Sequence, residues 1–231
     1  MLRVKGLSVT YPDGNRALDD VSFALDDRER VALIGANGAG KSTLLRTIMG
    51  LVPISGGEVE VGGVTLSKRT AQEIRRRIGI VFQNPDDQLF MTRVCDDVAF
   101  GPRNMGLSED EVEARVNSAL DQLNILHLKN RISDRISVGE KRMAGIASVI
   151  SMAPETILLD EPSSSLDPRS RRMLIKTLRA LPHAALIATH DLNLAKDLCP
   201  RVIVLQDGRL RADSPSSEIL SREEKLEEYG L

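Results

Sequence analysis

The sequence predicts an α/β protein: a largely parallel sheet covered by helices on both faces, with an antiparallel β region and an inserted helical segment. Three observations predict it. Four short continuous apolar runs read as fully buried strands: Val31-Ala32-Leu33-Ile34, Ile157-Leu158-Leu159, Ala185-Leu186-Ile187-Ala188 and Val202-Ile203-Val204-Leu205. Helical segments at about 168–180 and 191–198 separate the later runs, which implies parallel strands joined by crossovers. The first thirty residues instead alternate, whereas about 86–152 reads as amphipathic helix.

Taken in order, Leu2 and Val4, Leu7 and Val9, then Val21, Phe23 and Leu25 alternate around the turn Pro12-Asp13-Gly14, predicting an antiparallel hairpin. The run Val31-Ala32-Leu33-Ile34 ends in glycine. From Lys41 the period changes, with Leu44, Leu45, Ile48 and Met49 on one helical face and Gly50 as the stop. Gly56-Gly57 and Gly62-Gly63 bracket Glu58-Val59-Glu60-Val61, predicted as an edge strand, and 78–82 is a further buried strand. Over 109–126, Val112, Val116, Ala119, Leu120 and Leu123 recur at helical spacing, with Ser108 as N-cap and Glu111 three residues on. This helical stretch is inserted into the α/β core rather than appended to it.

Composition excludes several classes. The 231 residues hold 31 basic and 33 acidic side chains, a net charge of −2, which argues against binding nucleic acid through bulk electrostatics. No tryptophan, two tyrosines and four phenylalanines leave few rings to stack on bases. No run of about 18 apolar residues exists to cross a bilayer, and the N-terminus lacks the apolar region of a signal peptide. Cys95 and Cys199 match no metal spacing and fit a reduced, cytoplasmic setting. Arg75-Arg76-Arg77 and the arginines at 169, 171 and 172 read as solvated helix faces with balancing acids nearby.

Gly35-Ala36-Asn37-Gly38-Ala39-Gly40-Lys41-Ser42 matches G-x-x-x-x-G-K-[ST] in full, after a strand and before a helix. Glycines let backbone N–H groups converge on phosphate oxygens, and the helix N-terminus adds partial positive charge. Lys41 is expected to reach the β- and γ-phosphates of ATP or GTP, and Ser42 to ligate Mg²⁺, with Thr43 beside it. Ile157-Leu158-Leu159-Asp160-Glu161-Pro162 runs a strand straight into two carboxylates. Strand side chains alternate, so Asp160 and Glu161 serve different roles: one suits the Mg²⁺ shell, its neighbour the attacking water.

Together these motifs resemble the ATP-binding subunit of an ATP-binding-cassette (ABC) transporter, from Tyr11 to about Asp213. The resemblance implies a P-loop NTPase (RecA-like) core with an antiparallel β subdomain and an α-helical subdomain at about 86–152, all within one cassette of 1–231. It implies that Tyr11 stacks on adenine and that residues 35–43 hold the phosphates. It further implies Gln83 as the residue linking the metal site to the helical subdomain, Ser42, Gln83 and Asp160 around Mg²⁺, Glu161 as catalytic carboxylate, and His190 on the γ-phosphate. Ser164-Ser165-Leu166-Asp167 resembles the loop after the catalytic glutamate. The family's signature, Leu-Ser-Gly-Gly-Gln, maps onto Ile136-Ser137-Val138-Gly139-Glu140. Ser137, Gly139 and Asp167 would then face the ATP of a second cassette, identical or different. Val138 departs from the pattern: valine disfavours positive φ and adds bulk where backbone approaches phosphate. It marks either a tolerated subfamily variant or one weakened site of an asymmetric pair.

The segments Val81-Phe82-Gln83-Asn84-Pro85-Asp86-Asp87-Gln88-Leu89-Phe90 and Asp96-Asp97-Val98-Ala99-Phe100-Gly101-Pro102-Arg103-Asn104 are similar to energy-coupling factor transporters, which import micronutrients. Glu140-Lys141-Arg142 and Glu228-Tyr229-Gly230-Leu231 look most like the cobalt or nickel subunits, with vitamin importers such as those for biotin as the alternative. The resemblance implies integral membrane partners, a coupling subunit and a substrate-binding subunit, at the cytoplasmic face of the membrane. Leu89, Phe90, Met91 and Val98 are candidate groove residues for such a partner, or core of the helical subdomain. The rivals are an ABC protein of DNA repair or translation, and a nucleotide switch with little turnover. A repair or translation protein typically carries a coiled-coil insertion or a second cassette, and 231 residues accommodate neither.

Overall fold

A computed structural model describes every residue from Met1 to Leu231. The alternating N-terminal segment forms β1 (Leu2–Thr10) and β2 (Arg16–Leu25), paired antiparallel with Leu2 opposite Leu25 and Val4 opposite Phe23. Their inward parity, Leu2, Val4, Leu7, Val9, Val21 and Leu25, is essentially inaccessible to solvent. β3 (Arg30–Ile34) and α1 (Lys41–Ile48) follow, then β4 (Gly56–Val61) and β5 (Val64–Thr65). β4 pairs with β1 on one side and β5 on the other, giving the order β2-β1-β4-β5. The expected edge strand is therefore interior, because the Gly62-Gly63 turn, with both residues at positive φ, returns the chain as the two-residue β5.

α2 (Ala71–Arg77) leads into β6 (Ile78–Val81). The helical stretch comprises α3 (Val94–Asn104), α4 (Glu109–Gln122) and α5 (Val138–Ile150), with short 3-10 turns between them. α4 opens with the expected capping box: Ser108 and Glu111 satisfy each other's backbone N–H, a feature worth about 1 kcal/mol. It ends at Gln122, four residues before the sequence pattern does, because Asn124 turns the chain at φ 58 while Leu123 stays buried.

β7 (Thr156–Asp160), α6 (Pro168–Ala180), β8 (Ala184–Ala188), α7 (Leu192–Leu198), β9 (Arg201–Gln206), β10 (Arg209–Pro215), α8 (Ser216–Ile219) and α9 (Glu223–Glu228) complete the chain. The second sheet has the order β10-β9-β3-β8-β7-β6. β3 pairs parallel with β8 and β9, and β7 parallel with β8, as buried apolar runs require. β10 lies outside the apolar runs from which the parallel strands are predicted. It returns antiparallel against β9 through Asp207-Gly208, both at positive φ, a turn too short for any crossover.

The chain divides into two compact units. The first holds both sheets and consists of Met1–Ile80, Glu155–Glu161 and Pro182–Leu231; the second is helical and consists of Val81–Pro154 and Pro162–Leu181. In the second unit α3 packs on α4 and α5, and Val94, Val98, Leu120, Ala144 and Ile146 are fully buried there.

Candidate functional site

Three parallel strands of the first unit end level with one another. Register pairs Leu33 of β3 and Asp160 of β7 with the same residue, Ala188 of β8. Whatever follows each strand therefore converges at one edge, where open α/β sheets bind ligands. Residues 35–40 follow β3, Glu161 follows β7, and Thr189 and His190 follow β8.

The loop after β3 needs its glycines for two separate reasons. Gly38 and Gly40 lie at φ 84 and 105, where a side chain is strained. Gly35 has an ordinary φ, but a Cβ there would sit 2.2 Å from the Leu205 carbonyl oxygen. The buried Lys41 side chain curls back, its ammonium donating to the carbonyls of Gly35 at 2.6 Å and Ala36 at 3.2 Å. Burial pulls its pKa below the ordinary lysine value, against the opposing pull of Glu161 and Asp160. The Tyr11 hydroxyl lies 3.2 Å from Thr43 Oγ1, which places the predicted adenine-side ring next to α1.

Asp160 and Glu161 face different partners. Asp160 is almost fully buried; desolvation raises its pKa, while a hydrogen bond from Ser42 works against that shift. Asp160 Oδ1 is buried with no hydrogen-bond partner. An unsatisfied carboxylate oxygen in such a place costs about 1–3 kcal/mol or more, and a hard oxygen-seeking cation beside the Ser42 hydroxyl would satisfy it. The residues present therefore fit Mg²⁺.

Glu161 turns out of the strand at φ 45, its own N–H donating to the Ala188 carbonyl at 2.8 Å. A non-glycine residue in this region costs roughly 1–3 kcal/mol and marks a constrained position. The turn carries Oε2 to His190 Nδ1 at 2.9 Å, to Thr189 Oγ1 at 3.2 Å and to the His190 backbone N–H at 3.3 Å. Glu161 is buried while the His190 side chain is 64% exposed, so the imidazole faces outward from a carboxylate that holds it.

Gln83, Ser137, Gly139 and Asp167 belong to the second unit. Ser137 caps α5 through a capping box with Glu140, and Asp167 caps α6 by accepting from the N–H groups of Arg169 and Ser170. A Cβ on Gly139 would lie 2.6 Å from Ser170 Oγ and 3.0 Å from Ser170 Cβ, so a side chain there would have to displace Ser170. Ser137, Gly139, Glu140, Asp167 and Ser170 line one open pocket of about 440 Å³.

The ABC transporter family pattern matches residues 18–164. The chain belongs to the ABC transporter family. Its two sheets and helical unit are the ABC cassette fold: an α/β P-loop NTPase core, an antiparallel β subdomain and a helical subdomain. A Geobacter sulfurreducens chain named, provisionally, an ABC transporter ATP-binding protein is 47% identical over 98% of this chain and 91% of its own length. The energy-coupling factor transporter ATP-binding protein EcfA of Carboxydothermus hydrogenoformans is 41% identical over 100% of this chain and 86% of its own length. Among solved structures, cbiO1 of Clostridium perfringens, part of the ABC transporter complex cbiONQ, superposes with TM-score 0.88 at 36% identity, covering 97% and 92% of the two chains.

Within this ABC cassette, the expectation for Val138 is corrected. Val138 is the first residue of α5 and does not adopt positive φ, so valine creates no backbone strain there. What remains of the departure from the family signature is an isopropyl group, 49% exposed. Of the four candidate groove residues, Leu89 and Val98 are core, whereas Phe90 is 60% exposed and packs edge-on against Phe100. Arg77 pairs with Glu73 and Glu155, balancing acids of the kind expected, while Arg75 goes beyond a solvated face and donates to the carbonyls of Met49 and Gly50. No helix of the cassette is long and apolar enough to cross a membrane. Thr189 went unnoticed in the sequence; the only available signal was its place between a buried strand and His190.

Proposed function

We propose that this chain is the ATP-binding and ATP-hydrolysing subunit of an energy-coupling factor ABC transporter that powers uptake of a micronutrient, with cobalt or nickel ion as cargo. The pairing of Glu161 with His190, at the same sheet edge as the Lys41 loop, is the observation that carries the hydrolytic part. The EcfA and cbiO1 relatives support the transporter branch.

In this reading the N–H groups of Gly35, Ala36, Asn37, Gly38, Ala39 and Gly40 receive the ATP phosphates. Lys41 exchanges the Gly35 and Ala36 carbonyls for β- and γ-phosphate oxygens. Thr43 lies at the α1 N-terminus beside Tyr11, whose ring stacks on adenine. Ser42, Asp160 and Gln83 would hold Mg²⁺, which would supply positive charge against that developing on the phosphate oxygens. Glu161 orients the attacking water and accepts its proton, and His190, steadied by Glu161, contacts the γ-phosphate. Ser137, Gly139 and Asp167 meet the ATP of a second cassette, so two cassettes, identical or different, close on nucleotide and reopen on hydrolysis. The dimer drives integral coupling and substrate-binding subunits from the cytoplasmic face of the membrane, with no nucleic acid involved.

Co-expression with integral membrane subunits tests this. The reading expects a stable complex and ATP-dependent uptake, and transport assays with cobalt, nickel and biotin separate the cargo classes. Purification of the chain with ribosomes or DNA, and with no membrane subunit, would overturn it.

A further inference from the structure

Arg142 heads the fully buried side chains in size, with 1% of its surface exposed. Burying a guanidinium costs several kcal/mol unless strong acceptors surround it, and packing alone would be served by a leucine or methionine. Its two terminal nitrogens instead donate to the carbonyl oxygens of consecutive residues, Phe82 and Gln83, each at 2.6 Å. The planar fork of arginine matches two acceptors held side by side, which a lysine ammonium does not.

The same helix, α5, holds the rest of this segment. Gln88 accepts from the Phe82 N–H at 3.2 Å and donates to the Gly145 carbonyl at 2.7 Å and to Ser148 Oγ at 3.0 Å. Lys141 pairs with Asp86 at 2.6 Å. Residues 82–88 are thus fastened to α5 at both ends and in the middle. Fixing two successive carbonyls orients the peptide plane between Phe82 and Gln83, and with it the direction in which the Gln83 side chain leaves the backbone.

We propose that Arg142 is a positioning residue for Gln83: its fork on the Phe82 and Gln83 carbonyls sets where the Gln83 amide is presented and locks that placement to the helix beginning beyond Ser137. The inference rests on the reading above, in which Gln83 helps hold the metal. Misplacing such a group costs about 10- to 100-fold in turnover, while nucleotide contacts made by residues 35–43 are untouched.

The experiment is a double-mutant cycle in the full chain with Arg142→Lys and Gln83→Ala, reading kcat, nucleotide affinity and amide hydrogen exchange over 82–88. Arg142→Lys is expected to lower kcat about tenfold or more with unchanged affinity, to speed exchange over 82–88, and to add nothing once Gln83 is alanine. Equal losses in both backgrounds would overturn the proposal, since Arg142 would then act elsewhere. Undiminished kcat in Arg142→Lys would overturn it too. Gln88→Ala, which releases the Phe82 N–H from α5, carries the test if Arg142→Lys fails to fold; faster exchange over 82–88 with undiminished kcat would then sink the idea. Wild-type turnover by Gln83→Ala alone identifies a different failure, that of the role given to Gln83 itself.

Discussion

Glu161 Oε2 and His190 Nδ1 lie 2.9 Å apart, and the same carboxylate oxygen also receives the Thr189 hydroxyl and the His190 backbone N–H. Three donors from one short segment after β8 thus fix the carboxylate that leaves β7 at positive φ. The pair ties the ends of two neighbouring strands together at the sheet edge where Lys41 stands.

Removing the imidazole should separate chemistry from binding. His190→Ala leaves Glu161 its contacts with Thr189 and the backbone, so nucleotide affinity should hold while kcat falls about 100- to 1,000-fold, the usual range for losing a positioned polar group. Steady-state kinetics alongside equilibrium titration with a nonhydrolysable ATP analogue reads both quantities. An affinity loss matching the kcat loss would place His190 in ground-state binding instead.

Lys41 is held by two carbonyls and lowered in pKa by burial, ready to exchange those contacts for phosphate oxygens. Lys41→Ala should weaken ATP binding by at least about tenfold, given the roughly 1.5–3 kcal/mol of a charge-assisted hydrogen bond. Calorimetric titration measures it directly, and undiminished affinity would remove Lys41 from the phosphate site.

Two glycines of the loop should respond differently to alanine. A Cβ at Gly38 meets nothing within 4 Å, so Gly38→Ala carries only the left-handed strain of φ 84, about 1 kcal/mol. Gly35→Ala drives a methyl to 2.2 Å from the Leu205 carbonyl and must displace β9 or the loop, for a loss of about 3 kcal/mol or more. Thermal denaturation of the two variants ranks them, and equal melting temperatures would contradict the packing described.

The capping box of α5 makes a pH-dependent contribution. Hydrogen bonds from the Ser137 backbone and hydroxyl hold the Glu140 pKa below the ordinary glutamate value. Its contribution is therefore fully present above the unfolded-state pKa and is lost as pH falls through the lower folded value. The stability difference between wild type and Glu140→Gln, read by urea denaturation, should shrink between neutral pH and about pH 3. A difference that grows in acid would reverse the assigned sign.

Legibility in the sequence followed range. The loop at 35–42 could be read because its eight residues carry their own chemistry, and the capping box at Ser108 and Glu111 because it spans one helical turn. The antiparallel return of β10 was hidden, since an alternating exposed strand after a buried one looks the same whichever way it runs. The embrace of Gln83 by Arg142 joins residues 59 apart, and no local pattern announces it. Gly139 carried a family expectation of phosphate approach, whereas its closest constraint in this chain is Ser170.

The most direct test of the account is ATP turnover by wild type and Glu161→Gln, measured side by side with ATP binding. Glutamine keeps the shape of Glu161 but cannot take a proton from water. The account predicts ATP binding like that of wild type and hydrolysis slowed by about 100- to 10,000-fold. Turnover at the wild-type rate by Glu161→Gln would contradict it.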